Sequence, residues 1–84
     1  MKADSQKVMR YLKTVRGQID GIIKMVEDDR YCIDISHQIL ASQALLKKTN
    51  QEILTAHLRH CVHDSAGEEE KIEEMVKMIE ALLK

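Results

Sequence analysis

The chain has 84 residues, of which 44% are apolar and 32% are charged, and its formal net charge is −1. This length predicts one small domain spanning residues 1–84, and the apolar content excludes an intrinsically disordered chain. No apolar run approaches the roughly 18 residues needed to cross a bilayer, and no signal peptide opens the chain, so we expect a cytoplasmic protein that does not contact a membrane.

The residue types that are missing predict an all-α fold. Pro, Phe and Trp are absent, and there are only three Gly. Few sharp turns are then available, which disfavours a sheet of short hairpins and favours long helices. Because a domain this small buries little apolar surface by itself, we expect it to associate with further copies of itself.

The first predicted helix spans about Ser5 to Asp28. Its apolar residues recur every three or four positions, so they are expected to face inward. Gly17 and Gly21 are four residues apart, which favours the close approach of a neighbouring helix on that side. Asp29 is expected to cap the next helix. The predicted inward residues are Val8, Leu12, Val15, Ile19, Ile22, Ile23 and Val26.

The second predicted helix runs from about Tyr31 to Val62 and contains no helix-breaking residue. A helix of about 30 residues overhangs anything that its own chain can pack against it, which again favours association. Ser65 and Glu68 fit the capping box that starts a third helix, predicted from about Glu68 to Leu83. The apolar stripes are Ile35, Ile39, Leu46, Ile53, Leu54, Leu58 and Val62 in the second helix and Ile72, Met75, Val76, Ile79, Leu82 and Leu83 in the third.

Charge is unevenly distributed along the chain. Residues 1–48 hold nine basic and six acidic residues, whereas residues 49–84 hold four basic and eight acidic residues. A basic end on a near-neutral chain is typical of an anion-binding surface, including one for DNA, and also of a solvated helix face. No helix-turn-helix, zinc-finger or basic-zipper pattern is present, so DNA contacts would come from basic residues on helix faces. The densest basic cluster lies in the first segment, where Lys2, Lys7, Arg10, Lys13 and Arg16 face only Asp4.

A pair of metal-binding side chains lies near the end of the second predicted helix. His57 and Cys61 are four residues apart, which places an imidazole and a thiol on one side of the helix, about one turn apart. Cys32 lies 29 residues before Cys61, which is roughly 43 Å along a continuous helix. The two thiols can therefore meet only if two copies of the helix pack antiparallel, and symmetry then creates two identical sites per dimer.

The donor set of such a site favours copper. Two thiolates and one imidazole suit Cu(I), whereas Zn(II) would normally take a fourth ligand. The three remaining histidines are expected to be exposed or half-buried and not to bind the metal. They are His37, His60 and His63.

Several short stretches between about residues 7 and 82 form a recognisable pattern. They are Gly17-Gln18 with Gly21-Ile22 and Met25, then Tyr31-Cys32-Ile33-Asp34-Ile35, then Gln38-Ile39 with Ala41 and Ala44-Leu45, and finally His57-Leu58-Arg59-His60-Cys61-Val62. This pattern resembles the copper-sensitive operon repressor (CsoR) family of bacterial metal and sulfur sensors. The nickel- and cobalt-sensing members of that family carry histidines where this chain has Ala3 and Cys61.

The resemblance implies a three-helix protomer, an antiparallel dimer and a disc-shaped tetramer made of two dimers. It implies a repressor that binds operator double-stranded DNA when metal-free and releases it on binding Cu(I). The ligands carried over by the resemblance are Cys32, His57 and Cys61. Family members usually carry basic residues where this chain has Tyr11 and Thr14, so the DNA-binding residues expected here are Arg10, Lys13, Arg16, Lys47 and Lys48.

The resemblance also implies two supporting residues around the metal ligands. Tyr31 sits next to Cys32, and a glutamate of the third helix is expected to reach the outer nitrogen of His57. Glu69 is the predicted partner, with Glu68 and Glu73 as alternatives. Such a hydrogen bond would link the orientation of the imidazole to movement of the third helix.

The two thiols also allow a different function. Persulfide-sensing relatives keep both cysteines, often without the histidine, so the alternative is a repressor that responds to reactive sulfur by bridging Cys32 to Cys61 of the partner chain. The presence of His57 favours copper. A purely structural helical oligomer is a third hypothesis, and an enzyme is not expected, because the sequence shows no nucleophile–base–orienter set, phosphate loop or paired inward carboxylates.

Overall fold

The computed structural model of the chain consists of three α-helices. It describes residues 1–64 and 69–84, and the side chains of residues 1–60 and 69–84. Helix α1 spans Ser5–Glu27, α2 spans Cys32–Asp64 and α3 spans Glu69–Leu83. The all-α prediction is therefore confirmed, and each helix end lies within two residues of its predicted position. None of the helices in these parts of the chain combines the length and apolarity that crossing a bilayer requires.

Helix α1 begins at a side-chain cap. The Asp4 carboxylate accepts hydrogen bonds from the backbone N–H groups of Gln6 at 3.0 Å and Lys7 at 3.3 Å. These two N–H groups belong to the first turn and have no carbonyl partner within the helix, so the carboxylate satisfies them. The predicted capping box at the start of α3, Ser65 with Glu68, lies outside the described residues.

Asp29 ends α1 and does not cap α2, so that prediction was wrong. Its backbone has a φ of 53°, the left-handed conformation in which helices commonly terminate. The N–H of Asp29 donates to the carbonyl of Val26 at 3.1 Å, and the N–H of Arg30 donates to the carbonyl of Met25 at 2.9 Å. These are the two hydrogen bonds of a Schellman motif, and α2 begins three residues later at Cys32.

Helices α1 and α2 form an antiparallel hairpin. The Lys7 ammonium contacts the Glu52 carboxylate at 3.1 Å, and the Ser42 hydroxyl donates to Oε1 of Gln18 at 2.9 Å. As the residue number rises in α1 it falls in α2, which fixes the register of the pair. Along this contact the hairpin buries the apolar Val8 and Val15 and the hydroxyl-bearing Ser42 and Thr49.

Helix α3 packs on the C-terminal half of α2. Leu54 and Leu58 of α2 line a common hollow with Ile79 and Leu82 of α3, and Met75 is buried. Among the described residues, α1 and α3 each contact α2 and do not contact each other. The protomer is therefore a flat slab with Cα extents of 54 × 27 × 12 Å, and its thickness is about that of one helix.

A slab one helix thick cannot bury the apolar stripes predicted from the sequence. Among the described side chains that were predicted to face inward, only Val8, Val15 and Met75 are buried. The others remain accessible because α1 has a single neighbour, whereas its apolar stripe is wider than one contact covers. A Cβ on Gly17 or Gly21 would meet no neighbouring atom within 4 Å, so the predicted close approach does not occur within the chain. The exposed residues of the stripes include Leu12, Ile19, Ile23, Val26, Ile39, Leu46, Leu58, Ile72, Val76, Ile79 and Leu83.

Candidate metal centre and nucleic-acid surface

Cys32 is the first residue of α2 and presents an exposed free thiol. Tyr31 precedes it and is 66% exposed. The Tyr31 carbonyl accepts the hydrogen bond of the Ile35 N–H at 3.2 Å, so Tyr31 closes the first turn of the helix that presents the thiol. Tyr31 and Cys32 therefore lie side by side where α2 begins.

His57 is exposed and lies on the same side of α2 as Cys32. At 3.6 residues per turn, the side of the helix that carries Cys32 also carries Ile39, Leu46 and His57. The 25 residues between Cys32 and His57 correspond to roughly 38 Å along the helix axis. One chain therefore does not bring these two side chains together, and the described side chains contain no group of three potential ligands that could hold a metal.

The remaining predicted metal-site residues are placed as follows. Cys61 lies within α2, but its side chain is outside the described residues. Glu69 is the first residue of α3 and is exposed, while Glu68 is outside the described residues. His37 and His60 are exposed, as expected from the sequence, and the side chain of His63 is not among those described.

Between Cys32 and His57, this side of α2 carries the apolar Ile39 and Leu46 together with the polar Gln43 and Asn50. Ile39 and Leu46 are each 43% exposed there. α1 extends this surface with Leu12, Ile19, Ile23 and Val26, which lie on the side of α1 away from the Lys7–Glu52 pair. We call this surface, made of these six apolar residues, the apolar face. An exposed apolar patch of this kind on a small helical chain is typical of surfaces that associate with a partner.

The five predicted DNA-binding residues are exposed but do not share one surface. Arg10 and Lys13 line the same shallow hollow on α1. Lys48 lies in a second hollow on α2, together with residues such as Glu52 and Arg59. Lys47 is turned roughly 100° from Lys48, and Arg16 roughly 120° from Arg10.

A cluster of charges around Tyr11 joins the two helices on the side opposite the apolar face. The Tyr11 ring lies beneath the Lys48 ammonium, with 5.2 Å from Nζ to the ring centroid, and beneath the Lys7 ammonium at 6.0 Å. The hydrogen bond from Lys7 to the Glu52 carboxylate, and then the charge of that carboxylate, raise the pKa of Lys7 above its usual value. Lys7 therefore stays positively charged throughout the neutral range.

Sequence reasoning did not predict the contacts of Tyr11 with the two lysines or the place of Arg59 on this surface. The available signal was spacing: Lys7 and Tyr11 are four residues apart, and Lys48 and Arg59 are eleven apart, which is about three turns of a helix. The contact between Tyr11 and Lys48 could not be read from the sequence, because it depends on the register of the α1–α2 hairpin.

Comparisons with known proteins agree with this arrangement. A family model described as metal-sensitive transcriptional repressor matches residues 4–81. The copper-sensing transcriptional repressor CsoR of Mycobacterium tuberculosis is 39% identical over 83 residues, which are 94% of this chain and 69% of that protein. CsoR of Bacillus subtilis is 38% identical over 84 residues, covering 96% of this chain and 83% of that protein.

One solved structure is similar to this chain in both fold and sequence. It is the crystal structure of the copper-sensing repressor CsoR with Cu(I) from Geobacillus thermodenitrificans, which is 40% identical to this chain. The TM-score is 0.83, and the match covers 94% of this chain and 85% of the other. The three-helix arrangement described above is therefore that of a known metal-sensing repressor.

Proposed function

Because this chain belongs to the metal-sensitive transcriptional repressor family, we propose that it is a cytoplasmic repressor that binds operator double-stranded DNA when metal-free and releases it on binding Cu(I). Relatives at 38–40% identity are copper-sensing repressors. The observation that carries the proposal is the placement of Cys32 and His57, both exposed, on one side of a single helix but far apart. Side chains so placed cannot bind one ion together unless a second copy takes part.

The apolar face supplies a reason for two copies to pair. If two α2 helices pack antiparallel about a point beside Leu46, residue 32 of one copy lies level with residue 61 of the other. Leu46 then lies near the two-fold axis, and Ile39 of each copy lies between that axis and a metal site. Ile39 and Leu46 are each 43% exposed in the protomer, so covering what remains stabilises the dimer by roughly 0.6–1.3 kcal/mol for each side chain.

The residues that meet at each end of such a dimer fit Cu(I). Cys32 of one copy and His57 and Cys61 of the other would hold it, and two sulfurs with one nitrogen give a soft site of the kind that Cu(I) prefers over harder divalent ions. Tyr31 lies beside the first of these ligands. Glu69, at the start of α3, is the proposed partner of the outer nitrogen of His57.

The fold links the metal site to the rest of the molecule through α2. His57 lies nine residues from Lys48, or roughly 14 Å along the same helix. α3 packs against the turns of α2 on either side of His57, through Leu54 and Leu58. In this proposal a hydrogen bond from His57 to Glu69 of α3 couples the orientation of the imidazole to the position of α3 on α2. A tenfold preference for the DNA-free state needs only about 1.4 kcal/mol. Two such dimers then form the proposed disc-shaped tetramer, in which each protomer is a single domain of residues 1–84.

A DNA-release titration tests this function. A fluorescent duplex, selected by the protein from a random-sequence library, is followed by anisotropy under anaerobic reducing conditions, with and without Cu(I). Cu(I) is expected to weaken binding by the wild-type protein at least about tenfold, and His57→Ala is expected to lose this response. His37→Ala is the matched control, because His37 is an exposed histidine on another side of α2.

Two results would contradict the proposal. Normal release of DNA by His57→Ala on addition of Cu(I) would remove His57 from the site. Release by an inorganic polysulfide in a parallel titration, with no release by Cu(I), would support the reactive-sulfur alternative based on Cys32 and Cys61.

A further inference from the structure

Tyr11 lies between the two helices of the hairpin and is approached by two lysines. Its ring is half-buried at the edge of the α1–α2 contact. Lys48 reaches it from α2, with Nζ 5.2 Å from the ring centroid, and Lys7 reaches it from α1 at 6.0 Å. A cation within about 6 Å of an aromatic face is attracted by the electron-rich face of the ring. The ring therefore restrains ammonium groups that belong to two different helices.

The two lysines differ in the charge that they offer to a ligand. Lys7 is paired with the Glu52 carboxylate at 3.1 Å, which compensates its charge. No described carboxylate forms an ion pair with Lys48. Attraction to a neutral ring does not cancel a charge, so Lys48 keeps a full positive charge in a restrained position. Arg59 lines the same hollow of α2 and adds a second positive charge to that side.

We propose that Tyr11 is a positioning residue for DNA binding, whose ring holds the Lys48 ammonium where it meets a phosphate of duplex DNA. This inference rests on the proposed repressor function and adds a residue to it. Lysine is among the side chains with the greatest rotamer freedom. A lysine that becomes ordered only when it contacts DNA loses that conformational entropy on binding. Because stacking on Tyr11 orders Lys48 before DNA binds, the entropic cost of ordering the side chain offsets less of the favourable free energy of its phosphate contact.

A double-mutant cycle between Tyr11 and Lys48 tests the inference. Tyr11→Leu keeps an apolar side chain in the hairpin but removes the aromatic face, and Tyr11→Phe keeps the face but removes the hydroxyl. Binding of the metal-free full-length protein to the selected duplex is measured by anisotropy for each variant, for Lys48→Ala and for the double variant. Lys77→Ala is the control for loss of one positive charge elsewhere, since Lys77 is exposed on α3. Far-UV circular dichroism and sedimentation velocity check that each variant keeps its helices and its assembly.

The expected result is a loss of affinity in Tyr11→Leu of roughly two- to fivefold for each protomer that contacts the duplex. Tyr11→Phe should recover most of this loss. In the Lys48→Ala background, Tyr11→Leu should cost little more, because the two residues act through one contact. Lys48→Ala should also lower the slope of log affinity against log salt, and Lys77→Ala should not.

Two outcomes would overturn the inference while leaving the repressor function intact. One is an equal cost of Tyr11→Leu with and without Lys48, which would show that the ring acts by some other route. The other is a Tyr11→Phe variant as weak as Tyr11→Leu, which would assign the effect to the hydroxyl. Failure of the wild-type protein to bind any duplex would instead refute the proposed function, and the inference with it.

Discussion

Cysteine substitutions placed on separate chains test whether the metal site lies between two copies. Cys32 and His57 are roughly 38 Å apart along α2, whereas ligands of one metal ion lie roughly 2–2.5 Å from it. Neither Cys32→Ser nor Cys61→Ser alone can then form a complete site. In a mixed dimer, the intact Cys32 of one chain meets the intact His57 and Cys61 of the other, so one of the two sites is restored.

The expected stoichiometry follows from random pairing. Half of the dimers in an equal mixture are mixed, and each has one complete site, so the mixture should bind about one Cu(I) per four protomers. The two variants are unfolded together, refolded and titrated with Cu(I) against a strong chelator that strips incomplete sites. The control mixes Cys32→Ser with the double variant that lacks both thiols, in which no pairing restores a site. Full binding by either single variant, or no gain on mixing, would refute the intersubunit geometry.

Two further predictions concern stability and association. Asp29→Gly should raise the free energy of unfolding by about 1 kcal/mol, because glycine adopts the left-handed conformation of the α1 cap without steric cost, and urea unfolding at fixed protein concentration measures it. Leu46→Lys should shift the protein toward monomers in sedimentation velocity, because it places charges near the proposed two-fold axis, in the middle of the apolar face.

Each of these predictions has a matched control. Asp29→Ala should have the opposite effect to Asp29→Gly and destabilise the protein, because alanine has a Cβ and lacks the local hydrogen bonding of aspartate. Equal stability of the two variants would mean that the backbone at this position is not strained. Ala41→Lys adds the same charge to an exposed position on another side of α2, so it should leave association unchanged. Dissociation by Ala41→Lys alone would place the interface elsewhere.

The positions of the helices could be predicted because each depends on local sequence. Periodic apolar residues, the absence of proline and a polar break after Glu27 determine where the three helices run. Burial could not be predicted in the same way. Leu12 and Val15 follow the same periodicity, yet only Val15 is buried, because burial depends on how many neighbours a helix has. The spacing of apolar residues along the sequence does not show how many helices surround each helix. It therefore predicted more buried side chains than a protomer one helix thick can have.

The candidate site was predicted as far as helix spacing allows. The separation of Cys32 from His57 follows directly from an unbroken helix, and the structure has that helix. The DNA-binding set was predicted from basic charge and from the family resemblance, and charge does not specify direction around a helix. Lys47 and Lys48 are neighbours in sequence but point to different sides, and the residue that distinguishes them, Tyr11, comes from another helix. The cap at Asp29 was misassigned because aspartate serves at either end of a helix.

The long helix α2 carries Cys32 and His57 on one side and Lys48 and Arg59 on another. Side chains on different sides of a rigid helix do not pack against each other, so a substitution in one set leaves the contacts of the other unchanged. If Cys32 and His57 bind the inducer and Lys48 contacts DNA, as proposed, mutation can alter which inducer the protein recognises without changing its DNA contacts, or the reverse. Such an arrangement favours divergence after gene duplication, because the specificity for the inducer can change while the specificity for DNA is retained, and the reverse.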